Sequence, residues 1–234
     1  MAEEIRINKY LSSMGYCSRR EADRLVEAGL VSIDGKTAEP GSKVSGDEVI
    51  SVDGTVIGQA KDTKKVKRVV LAVNKPRGVV CTTSDKDRAP TIVEMVNYPE
   101  RVYPIGRLDK DSEGLILMTN DGSLVNRISR VENGHEKEYE VEVDKPVTEA
   151  FLKKMRGGMF LKELEKSTKP CTVERMDTYS FRIVLTQGLN RQIRRMCEEC
   201  GYKVIRLKRI RIMGIRLGSI KEGRWKKIDP EWLN

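Results

Sequence analysis

Apolar residues in the first thirty positions recur at helical spacing. Ile5, Ile7, Tyr10, Leu11 and Met14 form one stripe, which Gly15 stops. A second stripe of Ala22, Leu25 and Val26 follows Ser18, a good N-cap, with Glu21 at capping-box distance and Gly29 as terminator. The pattern then changes to short strands. LVSIDGKTAEPG carries a hairpin signal at Asp34-Gly35, and EVISV leads into a second turn at Asp53-Gly54. These elements predict a helix, helix and strand module over residues 1–60, small for an independent fold but sufficient.

From about Thr55 to Arg68 the apolar pattern is lost. Lys61, Lys64, Lys65, Lys67 and Arg68 accumulate there, so residues 61–68 read as a basic linker. Beyond it, β-rich runs start at Val69 (VVLAVNKP), Gly114 (GLILMTN), Glu138 (EYEVEVDKP) and Ser180 (SFRIVLTQG). Helical stretches are expected near Leu124–Val131, Thr148–Met155 and Asn190–Cys200. The second part, residues 69–234, is therefore expected to be an α+β domain, a mixed or largely antiparallel sheet flanked by helices. No internal repeat is visible.

Composition narrows the partner. Lysine and arginine total 44 against 35 acids, a net charge of +9, which calls for a polyanion such as nucleic acid. No apolar run is long enough to span a bilayer, and the bases do not gather on one amphipathic helix, so no membrane partner is expected. The N-terminus carries acids where a secretory signal would carry bases, and the five cysteines are scattered, so a reducing, cytoplasmic setting is expected. Cys197 and Cys200 alone sit at a ligand-like spacing. With His135 the only histidine, a closed four-ligand zinc site is hard to assemble, and no metal is expected.

Two places carry candidate chemistry. On the first module Arg6, Lys9, Arg19, Arg20 and Arg24 crowd two short helices, either as solvated surface or as a set of phosphate contacts. On the second, PIGRLDKDSEGLILMTNDG sets Asp109 and Asp111 in a loop between apolar strands. Each could be a turn residue, a reactive carboxylate or half of a cation site. Arg107 and Lys110 in the same loop favour an anionic ligand over a metal.

At these segments the chain resembles known families. NKYLSSMGYCSRREADRLVEAGLVSIDGK resembles the S4 type of RNA-binding domain, in which the helix carrying Arg19, Arg20 and Arg24 here lies against structured RNA. GRLDKDSEGL resembles the catalytic motif of pseudouridine synthases. VNKPRGVV, HEKEYEVEVDKP and QGLNRQIRRMCEECGY match that family in the expected order. The combination is similar to the branch that modifies single positions of bacterial ribosomal RNA, and its wording is closest to that of enzymes of the large subunit.

The resemblance implies Asp109 as the catalytic carboxylate, Tyr139 as the base-stacking ring and Arg194 as the buried basic partner of Asp109. Arg107 matches the arginine preceding the catalytic aspartate, and Leu207 an apolar residue against the pocket. Asn190, Arg191 and Gln192 are expected to hold the flipped base or backbone, with Lys203, Arg206, Lys208, Arg209 and Arg211 extending a phosphate track. Read without the family, RQIRR could equally be the polar face of a helix. An isomerisation needs no redox cofactor, so none is expected. Large-subunit ribosomal RNA is the expected substrate, with a transfer RNA open as a second and a monomer as the default state. Some members carry a basic extension after the catalytic domain, whereas this chain stops at Asn234, a difference expected to bear on RNA affinity. A non-catalytic ribosome-assembly factor and a metal-dependent nuclease using Asp109 and Asp111 are the competing readings.

Overall fold

The computed structural model describes residues 4–45, 47–59, 67–82, 89–129 and 134–233. The chain forms two compact units: Met1–Arg68 with Asn120–Gly122, and Val69–Thr119 with Ser123–Asn234. Of the expected linker, Lys61, Lys64 and Lys65 lie outside the described residues.

In the first unit, strand β1 (Ile5–Arg6) runs into helix α1 (Ile7–Ser13), and α2 (Arg19–Glu27) follows. Ser18 caps α2 by accepting the Glu21 amide through its side chain. The Glu21 carboxylate does not return to the cap. It accepts a hydrogen bond from Arg24 at 2.8 Å, so only half of the expected capping box forms. Five strands complete the unit: β2 (Val31–Ile33), β3 (Lys36–Thr37), β4 (Lys43–Val44), β5 (Val49–Val52) and β6 (Thr55–Gln59). Asp34-Gly35 and Asp53-Gly54 both turn with positive φ and close the β2–β3 and β5–β6 hairpins. Thr55–Gln59 is therefore strand, where the weak apolar pattern suggested that order was already fading. Ile7, Tyr10, Leu11, Ala22 and Val26 bury the helical stripes against Val31, Val44, Ile50 and Val52.

The second unit is built on one mixed sheet. Its first half contains β7 (Val70–Lys75), helix α3 (Ile92–Val96), β8 (Tyr103–Ile105), β9 (Glu113–Thr119) and α4 (Gly122–Ser129). Next come β10 (Lys137–Val143), α5 (Glu149–Arg156), the short pair β11 (Phe160–Leu161) and β12 (Lys166–Ser167), β13 (Thr172–Arg175) and β14 (Ser180–Leu185). Helix α6 (Gln192–Glu199), β15 (Val204–Ile212), β16 (Ile215–Arg216) and β17 (Trp225–Ile228) finish it. The spatial order is β13-β14-β10-β15-β9-β7-β17, with β16 on β15 and β8 on β9. Every pairing is antiparallel except β15 with β9, in agreement with the α+β expectation.

The hydrophobic pattern explains how each strand is covered. Strands β7 and β9 are buried along their whole length, one face against α3 and the other against α4, and their sequences are nearly unbroken apolar runs. Strand β14 alternates, burying Phe181, Ile183 and Leu185 towards α5 and α6.

The two halves of the sheet meet at a single parallel contact, Lys208 opposite Glu113 and Arg209 opposite Gly114. Gly114 has φ +100°, and a Cβ there would stand 2.3 Å from the Arg209 carbonyl oxygen. The atoms it would meet are backbone atoms of Arg209, so no side-chain movement can relieve the clash. Gly114→Ala is expected to cost about 2–4 kcal/mol in urea unfolding. Gly188→Ala, where a Cβ meets nothing within 4 Å, should change stability by less than about 0.5 kcal/mol. Equal behaviour of the two variants would dissociate the seam from stability.

Candidate active site

The loop from Gly106 to Ser112 leaves β8 and enters β9, so the two strands hold its ends at fixed height over the sheet. Within it the Ser112 amide donates to the Asp109 carbonyl at 3.1 Å, closing a turn with Lys110 and Asp111 at its tip. Two outside contacts tie the turn down. The Gly78 amide donates to the Lys110 carbonyl at 2.7 Å, and the Leu108 amide donates to Cys81 Sγ at 3.4 Å. The Gly78 segment is itself fixed by Lys75, which is fully buried and donates from Nζ to the Pro76 and Val79 carbonyls, both at 2.8 Å. Burial holds the Lys75 ammonium below its usual value, against the opposing pull of nearby acidic groups that include the Asp111, Asp109 and Glu113 carboxylates.

A cavity of about 270 Å³ opens beside this loop, a little under the ~300–1,000 Å³ common for small-molecule sites, so it suits one nucleotide. Arg107, Leu108 and Asp109 form one wall; Gln187–Ile193, the approach to α6 and its first turn, form another. The floor is one face of the sheet: Lys137 and Tyr139 of β10, Leu185 of β14, and Leu207, Arg209 and Ile212 of β15. Of the residues singled out in the sequence, Asp109, Tyr139, Arg107, Asn190, Arg191, Gln192 and Leu207 all line this cavity. Arg6, Lys9, Arg19, Arg20 and Arg24 lie exposed on the first unit.

Arg194 is placed differently from the expectation. It is buried just behind the lining, and its ion pair is with Asp111 rather than Asp109, at 3.3 Å. Its Nη2 also donates to the Asp111 carbonyl at 3.1 Å and to Ser112 Oγ at 3.3 Å, while its Nε has no hydrogen-bond partner. The cation nearest the Asp109 carboxylate is Arg191, at 3.7 Å, which also reaches Asp111 at 3.3 Å. Arg191 can do this because it is the N-cap of α6 with φ 50°, a left-handed geometry that lifts it off the helix proper.

Two further expectations change. Gln192 is buried and engaged: its Oε1 accepts the Leu189 amide at 3.0 Å and its Nε2 reaches Gln187 at 3.4 Å, so it shapes the wall instead of offering a free hand. The phosphate track on β15 is largely consumed inside the domain. Arg206 pairs with Glu113 at 2.6 Å, and Arg211 pairs with Glu138 and with Glu136, the second at 2.9 Å. Arg209 is buried, donating Nε to the Leu115 carbonyl at 2.7 Å, with its guanidinium 5.9 Å from the Tyr139 ring centroid. Lys137, Ser112 and the anchoring role of Asp111 were not visible in the sequence reading. The signal for Lys137 was its two-residue offset from Tyr139 on one strand, which puts both on the same face.

Among the described residues no three His, Cys, Asp or Glu side chains converge on a metal-sized site, and Cys197 and Cys200 are free thiols. Among those residues no helix is long and apolar enough to cross a membrane.

A family model for RNA pseudouridylate synthase matches residues 69–199, and one for the S4 domain matches residues 5–50. The dual-specificity RNA pseudouridine synthase RluF of Escherichia coli (strain K12) is 49% identical over 98% of this chain and 77% of its own length. The ribosomal large subunit pseudouridine synthase B of Bacillus subtilis (strain 168) is 32% identical over 96% of this chain and 92% of its own. A crystal structure of a pseudouridylate synthase superposes with TM-score 0.70 at 27% identity, covering 98% of each chain.

Burial pushes the Asp111 carboxyl up, but Arg194 and Arg191 outweigh it and hold the group below the ordinary carboxylate range. A depressed folded-state value stabilises the fold above the unfolded value and loses that contribution as pH falls through the folded one. Asp111→Asn should therefore be less stable than the parent at pH 7, and the gap should narrow below about pH 4. Urea titrations of both proteins across that range test it; a gap independent of pH would mean the carboxylate charge is not what anchors Arg194.

Proposed function

Because the chain belongs to the RNA pseudouridylate synthase family, we propose that this RNA isomerase converts a defined uridine of large-subunit ribosomal RNA, using Asp109 as its catalytic carboxylate. A transfer RNA is proposed as a second substrate, and a monomer as the working form. The observation that carries the reading is the convergence of Asp109, Tyr139 and Leu207 on one nucleotide-sized cavity. The names of the relatives, one a dual-specificity enzyme and one a large-subunit enzyme, support the substrate assignment.

The reaction breaks the bond from ribose C1′ to uracil N1, turns the ring and rejoins it through C5. Asp109 acts on the sugar, as a nucleophile at C1′ or as a base at C2′, and the reaction needs no net oxidation. A stacked uridine cannot reach that carboxylate, so the nucleotide is flipped at a cost of a few kcal/mol. The Tyr139 ring offsets part of this by stacking on the extruded base, a contact of roughly 1–3 kcal/mol. Arg194 serves the chemistry indirectly: by gripping Asp111 and Ser112 it fixes the turn that aims Asp109, and a small error in aim is costly. Arg191, close to both carboxylates, sets a positive charge beside Asp109 and is placed to meet the RNA backbone. The exposed arginines of α2 supply further phosphate contacts.

Tritium release from ribosomal RNA labelled at uracil C5 tests the reading directly. The intact protein should release label in the presence of chelator, and Asp109→Asn should be slower by about 10³-fold or more. Tight binding without release would favour the assembly-factor reading, and strand cleavage without release, abolished by chelator, would favour the nuclease-like one. Substituting Arg19, Arg20 and Arg24 together by Ala should leave the chemical step unchanged and lower the slope of log Kd against log salt by roughly 2. An unchanged slope would remove α2 from the RNA interface.

A further inference from the structure

The cavity floor holds two cations that the reaction as described does not use, Lys137 and Arg209. They are neighbours by register. Tyr139 lies opposite Arg209 in the β10–β15 ladder, and Lys137 sits two residues from Tyr139 on the same face. The other arginines of β15 named above, Arg206 and Arg211, each have a carboxylate. Among the described residues, Lys137 and Arg209 have none. Lys137 reaches only the His135 carbonyl, at 3.3 Å. Arg209 spends Nε on the Leu115 carbonyl, and its Nη2 is sealed from solvent without any hydrogen-bond partner. A buried guanidinium with no counter-charge is costly, and an anion in the cavity beside it offsets part of that cost through space. Burial, and then the charge of Arg209, hold the Lys137 ammonium below the usual lysine value, a penalty that an incoming anion relieves.

We infer that Lys137 and Arg209 form an anion-holding end of the uridine pocket, taking up the negative charge that the uracil ring acquires when its bond to ribose breaks. The inference rests on the proposed reaction. In that step the electron pair of the C1′–N1 bond stays with the ring and spreads over N1, O2 and O4. The electron-poor ribose is relieved by Asp109, through a bond to C1′ or by taking the C2′ proton. The ring then turns and C5 bonds to C1′ as the Asp109–C1′ bond breaks or, on the other route, as Asp109 returns the proton to C2′; the C5 proton then leaves to restore the uracil. Between cleavage and rejoining the ring is a free anion. It must be held without being protonated, and fixed cations in a site sheltered from water do this by stabilising charge that the bound uridine does not yet carry. A backbone phosphate is the competing occupant, since it is also an anion.

The test separates the two by changing the ring and not the backbone. Matched ribosomal RNA transcripts carry uridine or 5-fluorouridine, whose fluorine draws charge from the ring and makes it a better leaving group. Conversion by the full chain is followed in single turnovers as loss of the starting nucleoside, by chromatography of the digested RNA, because 5-fluorouridine has no C5 proton to shed and its reaction stops once C5 has bonded to C1′. Lys137→Met should slow uridine conversion by about 100-fold. Its Kd should move by less than about threefold, and the defect on 5-fluorouridine should shrink to about tenfold or less. Lys137→Arg should recover most of the rate on uridine. Arg209→Lys, which keeps the charge but not the fork, should show an intermediate loss with the same substrate dependence. Equal losses on the two RNAs, or a loss seen only as weaker, less salt-sensitive binding, would overturn the inference and assign the pair to structure or to phosphate. An intact protein that converts neither RNA would instead overturn the proposed function, and this inference with it.

Discussion

The pocket depends on one backbone contact, the parallel touch of β9 and β15 at Gly114 and Arg209. On one side of that seam the sheet carries the loop with Asp109; on the other it carries the floor with Tyr139, Leu207 and Arg209. A wider seam would separate wall from floor. The chain keeps it narrow by placing at Gly114 a residue with no side chain and a φ that L residues rarely adopt, directly against the opposing carbonyl. Two ties then reinforce the join: Arg209 reaches across to the Leu115 carbonyl, and Arg206 clasps Glu113. The site is therefore assembled on rigid strands, where small errors of position are hardest to introduce.

Charge follows the same logic of local accounting. A net charge of +9 suggests a surface painted with phosphate contacts. In the structure much of the β15 run is matched by Glu113 and Glu138 on neighbouring strands and by Glu136 just before β10. Cations in this part of the chain thus divide into those matched by a carboxylate and those left without a counter-charge. The second group marks the places where an anionic ligand belongs.

Much of the fold was legible in the sequence because periodicity is a local property. The stripes of α1 and α2, both Asx-Gly hairpins and the apolar runs of β7 and β9 stand where their patterns put them. The cavity residues were legible for a different reason, the resemblance of the second part of the chain to one family. What stayed hidden was pairing across long separations. Nothing local says that Arg194 will choose Asp111 over Asp109, two residues apart on one turn; that choice follows from the Asp109–Ser112 hydrogen bond, which turns Asp111 towards α6. Nor could a run of five bases reveal that Arg209 is buried, because its exposure is decided by β9, far back in the chain. The strand at Thr55–Gln59 was missed because a polar edge strand leaves little apolar signature.

The order of strands also bears on when the enzyme can exist at all during its synthesis. Strand β7, one of the first elements of its unit, is covered along one edge by β17, so Val70 waits for Ile228. Between them, β9 waits for β15. Pairings this distant in sequence carry a large loop-closure cost and form slowly. A nascent chain emerging from the ribosome can fold its first module early, yet it lacks a pocket floor until β15 has been made. Competence to hold RNA thus precedes competence to change it, and the interval between them is set by the topology of the sheet.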